Sequence, residues 1–518
     1  MLTRIEFRPE VEDLVRFVEE TDPDDIVEKT IAKLRNGVSG HELLTANTLA
    51  VVRSNDVPPS HHGGPVHPIC GVHAIHGIAK RLPGELSMLP LIQHTALCNH
   101  HVHSPYMGPY LMPKIEALQA SPEEVEPGIR PHNVTSRVNI PSPDEPNAIG
   151  DTQKAFLHCI RAMEAPLGER YYLWLLDRLS HGEMLDLLLP LAVSRNNWDD
   201  HYFLYPVYTF RTLDCLGWEW ADVLLRPAVR YQARLMGRLT IGDPLDFVWV
   251  ESLLDKYKLL EINIPTKTSD AETERIGELA MQLGRCEDYF DTIEPMAQAL
   301  AGGLSLEGAG EALSIGAAAA YLSTSYGNPM DSHLHTGSTN RRYVLRQEGV
   351  SLRNKILSLL TGFTGPEVLL GARKIDWTCN IEPGSTASLP ERSQENLLDA
   401  ITDNIDSQPY IDWHQINSVA NVVPPEGIKE GVAMARQYAE KGYDPVPYFD
   451  RLAEISCRDD FTEMHSVKHF QAIVDEYYAT REPYRWLHLA SATKSAGIIQ
   501  TGREHSVYRQ SKEILKAA

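Results

Sequence analysis

Histidine is the residue type with most chemistry to offer in this chain, and it is unevenly placed. The tract HHGGPVHPICGVHAIHGIAKRLPGELSMLPLIQHTALCNHHVH, from His61 to His103, packs nine of the 21 histidines into 43 residues. Neutral imidazole is the commonest protein ligand for transition metals, so the tract raises the question of a metal site. Pro68 suits a first helical position and predicts a helix over Pro68–Arg81. There His73 and His76 lie three apart and share a face, with His67 just ahead, where a loop side chain can turn back over the helix. A second helix over Leu86–His101 sets His94 and His101 seven apart on one face, with Leu97 between them and Cys98 beside. Paired helices that each turn imidazoles inward are how bundle metal sites are built. His61 and His62 precede Gly63-Gly64 and read as solvated loop residues. His100 and His103 fall off the shared face. A single histidine on an apolar helix is more often a hydrogen-bonded core residue, so convergence of several carries the metal argument.

Two further constellations lie far downstream. In Gly327-Asn328-Pro329-Met330-Asp331-Ser332-His333-Leu334-His335 a turn delivers an HxH pair, ahead of what reads as a helix at TNRRYVLRQ. If that pair is extended, His333 and His335 point the same way. In Glu463-Met464-His465-Ser466-Val467-Lys468-His469 the two histidines are four apart, an efficient two-ligand helical spacing. Lys468 sits beside them and would repel a cation unless it were a neutral amine or a carbamate. His158 and His414 lie in apolar contexts and read as core. His181, followed by Gly182, reads as a helix end, and His488 as packing. The run GGLSLEGAGEALSIGAAAAYL lacks GK[ST] and is no phosphate loop; its small residues suit close helix packing, with Glu307 and Glu311 expected near the site. No GxSxG elbow or protease-like cysteine signature is present.

The elements that must position these residues are helices. VEDLVRFVEE, DDIVEKTIAKLR, YYLWLLDRLSHGEMLDLLLPLAV and ETERIGELAMQLGRCEDYFDTIEPMAQAL carry apolar residues at three- and four-residue steps. Asp22-Pro23-Asp24-Asp25 and Ser121-Pro122-Glu123-Glu124 are helix-start signals. Strand-like runs are scarce, FVWVES near Phe247 being one candidate. The expected fold is mainly α, a large multi-helix single unit packed around a His-lined metal site. One domain over 1–518 is expected, with a Pro-rich loop or linker at 119–150 and a second break near 381–393. No repeat of fixed period appears.

With 518 residues, 43% hydrophobic and 23% charged, the chain is long enough for a large core and ordinary for a globular protein. A formal charge of −22 disfavours nucleic acid or an anionic membrane surface as partner. No run reaches the length of a membrane span, and the N-terminus lacks a secretion signal. The seven cysteines are odd in number and form no CxxC pair, which points to a reducing, cytoplasmic setting.

Separated patches together resemble a family. VHPICGVHAIH (Val66–His76), GEALSIGAAAAYL with DSHLHTGSTN after it, and HSVKHFQAIVDEY with WLHLASATKSA after it are similar to segments of the questin oxidase-like proteins and related bacterial proteins. NHHVH, with LQASPEEVEPG after it, resembles the family's His-rich segment. The patches run along most of the chain, and each is short. The resemblance implies a mainly helical protein that cleaves aromatic polyketide rings with dioxygen. It also implies mononuclear non-haem iron held by several histidines and, in at least one member, a carboxylated lysine. By position, His67, His76, His335 and His465 match the recurrent histidines, and Lys468 matches the lysine. His73, His94, His101, His333 and His469 are additional, and open a different ligand set or a second metal.

The expected metal residues are therefore His67, His76, His101, His335, His465 and Lys468, with His73, His94, His333 and His469 as alternative or supporting ligands. A histidine-rich shell with one oxygen donor and no thiolate suits Fe(II) first, with Zn(II) or Mn(II) as substitutes. The expected function is a metal-dependent oxygenase or oxidase acting with dioxygen on a small organic substrate, aromatic compounds included. No nicotinamide or flavin motif is visible, and a homo-oligomer is compatible with the sequence. A zinc or dinuclear hydrolase, with a carbamylated lysine bridging the ions, is the first rival. A non-catalytic helical binding protein is the second.

Overall fold

The computed structural model describes residues 4–56, 64–105, 107, 110–117, 147–194, 200–234, 244–286, 289–323, 332–362, 386–408, 426–459, 463–498 and 506–516. Regular structure among them is helical, apart from one isolated bridge between Arg4 and Pro113. The first helices are α1 (Pro9–Glu20), α2 (Ile26–Arg35), α3 (Gly40–Ser54), α4 (Val66–Arg81) and α5 (Met88–His103). Next come α6 (Ala148–Arg161), α7 (Ala165–Leu176), α8 (His181–Ser194), α9 (His201–Leu216), α10 (Ala221–Gln232) and α11 (Pro244–Lys256). The centre of the chain forms α12 (Thr273–Arg285), α13 (Ile293–Ala301), α14 (Leu306–Ser323), α15 (His333–Arg346) and α16 (Leu352–Leu360). The last are α17 (Gln394–Asp406), α18 (Ile428–Glu440), α19 (Pro445–Ser456), α20 (His465–Ala479), α21 (Glu482–Ile498) and α22 (Ser506–Lys516).

The helix ends follow local chemistry. Pro9, Glu10 and Glu12 open α1, and Lys33 and Arg35 close α2, which matches charge to the helix dipole. Ser39 and Glu42 form a reciprocal capping box on α3. A continuous core runs from Val15 on α1 to Ala496 on α21, with a small satellite around Ile26, Ile31 and Ile92. Helix α14 approaches α12 closely because glycines face each other. A Cβ on Gly316 would lie 2.9 Å from the Ala280 carbonyl oxygen, and one on Gly284 the same distance from that of Gly316.

Four helices define the centre. α4 packs against α9 and α20, and α15 packs against the same two, so the four close a ring, with α21 behind α20. A buried ion pair braces it: both guanidinium Nη atoms of Arg341 on α15 reach the carboxylate of Asp200, at 2.7 and 3.0 Å.

Several expectations change. α4 begins at Val66, so His67 lies inside the helix; α5 runs Met88–His103 rather than Leu86–His101. The HxH segment is the first turn of α15 and is not extended. FVWVES belongs to α11; a short apolar run fits a helix or a strand equally well, and this one is helical. His158 is exposed, and His181 begins α8 rather than ending a helix, its ring stacked on Trp218. Glu307 and Glu311 pair with Lys267 and Arg481, away from the histidines, because they lie towards the start of α14, whereas Tyr321, which touches His335 and His469, lies near its end. His61, His62, His414 and residues 118–146 and 381–385 lie outside the described residues.

Candidate metal centre

Three of the ring helices begin on a histidine, and the fourth has one at its second position: His201 opens α9, His333 opens α15, His465 opens α20, and His67 follows Val66 on α4. All four are buried. Ligand nitrogens of His67, His201 and His465 lie within 4.8 Å of one another, close enough for one ion. His333 stands beside these three, its ring centroid 5.3 Å from that of His201 and 5.2 Å from that of His465. Neutral imidazoles are what a metal needs.

The approach to two of these histidines is unusual backbone. Asp200 and Met464, the residues before His201 and His465, have φ of 58° and 69°, and Glu463 has 52°. Left-handed conformations cost non-glycine residues roughly 1 kcal/mol or more each, and they aim the following histidines inward at the start of each helix. Asp459 accepts from the Ser466 amide at 3.1 Å, capping α20.

Two ionisable side chains stand beside the His67 ring. Lys468 Nζ lies 3.0 Å from His67 Nδ1, and Glu463 Oε2 lies 3.0 Å from His67 Nε2. Burial lowers the Lys468 ammonium below its ordinary value, against the pull of Cys70, Glu463 and Asp459. The Cys70 thiol is pushed up to about 12 by burial, which keeps it a thiol rather than a thiolate ligand. His201, His333 and His465 border a cavity of about 10 Å³ closed by Cys70 and Lys468, room for about one water-sized molecule. A separate pocket of about 530 Å³ reaches His101, Glu463 and Met464, its lining mixed, with Leu97 and Val507 among the apolar residues and Gln93 and Asn99 among the polar ones. Glu463 thus stands between this pocket and His67.

The structure brings His67, His465 and Lys468 together, with His333, and leaves the other expected residues elsewhere. His76 sits nine residues beyond His67 on α4, about half a turn round and roughly 13 Å along. His101 is held by the Gly64 carbonyl oxygen at 2.8 Å and stands 3.8 Å from Glu463, at the edge of the group. His94 spends both ring nitrogens on Pro68 O and Asn47, a core role, and burial lowers it to about 4. His335 lies about 200° round α15 from His333, so it faces α21 instead. There its Nδ1 meets His469 Nε2 at 3.0 Å, with His488 5.7 Å away ring to ring. Burial holds His335 well below its ordinary value, and lowers His469 to about 3 and His488 to about 4. The HxH and HxxxH pairs are therefore each divided between two neighbouring groups. His73 belongs to a third group, with Asp475 and Arg211.

His201 is absent from the expected set. It stands alone in HYFLYPVYTF, with no second histidine at ligand spacing. The available signal is the one it shares with His333 and His465: an acidic residue one or two positions ahead of a histidine that opens a helix, as in Asp200-His201, Asp331-Ser332-His333 and Glu463-Met464-His465. No helix among the described residues is long and apolar enough to cross a membrane. No family model, curated protein or solved structure matches this chain.

Proposed function

We propose that this chain is a metal-dependent oxidoreductase in which His67, His201, His333 and His465 hold a single divalent ion, iron first, for the dioxygen-dependent oxidation of a small aromatic substrate. The carrying observation is the convergence of three buried imidazoles within 4.8 Å. The donor set fits the ion: neutral nitrogens, no thiolate, and Glu463 to offset its charge. Iron bound there would supply one-electron chemistry with dioxygen.

The chain's own residues do the rest. A neutral Lys468 amine can accept the His67 Nδ1 proton, which leaves the Nε2 lone pair for a metal; an ammonium cannot. The carbamate implied by the resemblance to questin oxidase-like proteins would accept that proton equally and add negative charge. Leu97, Met107, Met464 and Val507 give the larger pocket apolar surface for an aromatic ring, and Glu463 is placed to meet a substrate hydroxyl at its inner end. The dimension of the smaller cavity admits a diatomic molecule and little more.

Metal analysis of the purified full-length protein tests this reading. Near-stoichiometric iron, lost in His201→Ala and in His465→Ala, together with oxygen uptake in the presence of electron-rich phenols, is the expected result. Retention of the metal by both variants overturns the site. Zinc at full occupancy without oxygen uptake would favour a hydrolase, with Glu463 as its base.

A further inference from the structure

The pocket of about 530 Å³ beside the histidine centre is one-sided in its polar groups. Asp24, Asp459 and Glu463 line it with carboxylates, and no lysine or arginine is among the described residues around it. It also holds two amides of α5, Gln93 and Asn99, which keep only 4% and 0% of their surface exposed. Asn99 Nδ2 donates to the carbonyl oxygens of Val18 and Thr21, each at 2.8 Å, and Gln93 Nε2 donates to that of Cys457. Only the NH2 end of an amide can meet a carbonyl oxygen, so these bonds fix the direction of each amide. The oxygens are what remains: Asn99 Oδ1 and Gln93 Oε1 are buried without a donor. Such groups are rare because leaving an acceptor unpaired and dry is costly.

We propose that this pocket binds an aryl-alkyl primary amine as its ammonium; that such an amine is also the substrate rests on the oxygenase reading of the histidine centre. An ammonium brings N–H donors and a positive charge to a pocket that offers acceptors and negative charge. Asn99 is tied to Thr21, shortly before Asp24 in the chain, and Gln93 is tied to Cys457, shortly before Asp459. Each amide oxygen therefore belongs to a part of the wall that also carries a carboxylate. Ile26, Leu97, Met107 and Val507 supply apolar surface for the aryl-alkyl body.

The same wall selects against the alternatives. A carboxylate ligand would face three like charges with no lysine or arginine to meet it. A neutral alcohol supplies a donor but no charge. A quaternary ammonium supplies the charge but no N–H, so both amide oxygens would stay unpaired. That last comparison matters because a chain of formal charge −22 attracts any cation to some degree. Only the need for N–H donors is particular to Gln93 and Asn99.

The experiment is isothermal titration calorimetry of the full-length protein in EDTA, with ligands that share one phenol ring: tyramine, tyrosol, 3-(4-hydroxyphenyl)propionate and N,N,N-trimethyltyramine. Tyramine is expected to saturate a single site and to bind roughly tenfold or more tighter than the alcohol and the propionate. It should also bind roughly tenfold tighter than its trimethyl form. Asp24→Asn and Gln93→Met are each expected to weaken tyramine by roughly threefold or more and to leave tyrosol unchanged. The wild-type series stands whether or not a variant folds. Tyrosol or the propionate binding as tightly as tyramine, or no saturable tyramine binding, overturns the proposal. Equal affinity for the trimethyl form also overturns it, since general attraction to an acidic chain would then be the cause. So does an unchanged tyramine affinity in both variants. Because EDTA keeps iron out of the measurement, a tyramine preference in a protein that never holds iron would keep this pocket and sink only the oxygenase reading.

Discussion

At the residue scale the centre turns on one hydrogen bond. His67 has a polar neighbour at each ring nitrogen, Lys468 at Nδ1 and Glu463 at Nε2. The state of Lys468 decides which nitrogen carries the proton, and so whether Nε2 is a donor to Glu463 or a ligand. Lys468→Met removes the acceptor while keeping the apolar stem. We expect metal affinity to fall by about 10–100-fold, as when other partners of ligating histidines are lost. Competition with a chelating dye measures this, and wild-type affinity would separate Lys468 from the site. His101→Ala, by contrast, should keep the metal, because the Gly64 carbonyl oxygen holds that ring at the edge. The pairs at HxH and HxxxH spacing were readable in the sequence, yet each pair divides between two groups. Spacing reports which residues share one helix face. It is silent on singletons such as His201 that meet only because four segments converge.

At the scale of elements, the site is a meeting of helix beginnings. Periodicity and caps made the helices legible, from α1 with its proline and acidic first turn to α3 with its Ser39–Glu42 box. Their starting residues were less so: α4 and α15 each begin on or before the histidine expected to precede them. The N-terminal turn matters because the next residue is aimed by the one before it. Asp200 combines a left-handed backbone with a buried ion pair to Arg341, and so ties the start of α9 to α15. Asp200→Ala leaves Arg341 buried without its partner and should destabilise the fold by about 3–5 kcal/mol. Asp200→Asn keeps the tolerance for the left-handed backbone and one acceptor, and should lose less. Thermal melts of the two variants beside the wild type check this; equal melting temperatures for all three would show that the pair braces nothing.

At the scale of the whole molecule, a mainly α fold around histidines has a consequence for acid stability. His94 and His488 are wholly buried in different parts of the core, and burial lowers each to about 4, against an ordinary value near 6.5. Between those values the unfolded chain binds protons at both positions and the folded chain does not. Lowering the pH from 6.5 towards 4 therefore favours unfolding, with a slope approaching roughly 1.4 kcal/mol per pH unit for each group. Below 4 both states are protonated there, and these two groups contribute no further change. Glu12 takes over at lower pH: burial opposes its ionisation, but Arg53, the Phe7 amide and Arg16 hold it down to about 2. The stability it contributes is present above about 4.5 and is lost as the pH falls to about 2. Urea denaturation in EDTA, which keeps metal release out of the measurement, should show a steady loss from pH 6.5 to 4.5. His94→Gln, which cannot titrate, should show a shallower slope over the same range. A flat profile in the wild type would mean that these histidines are solvated and not part of a dry core.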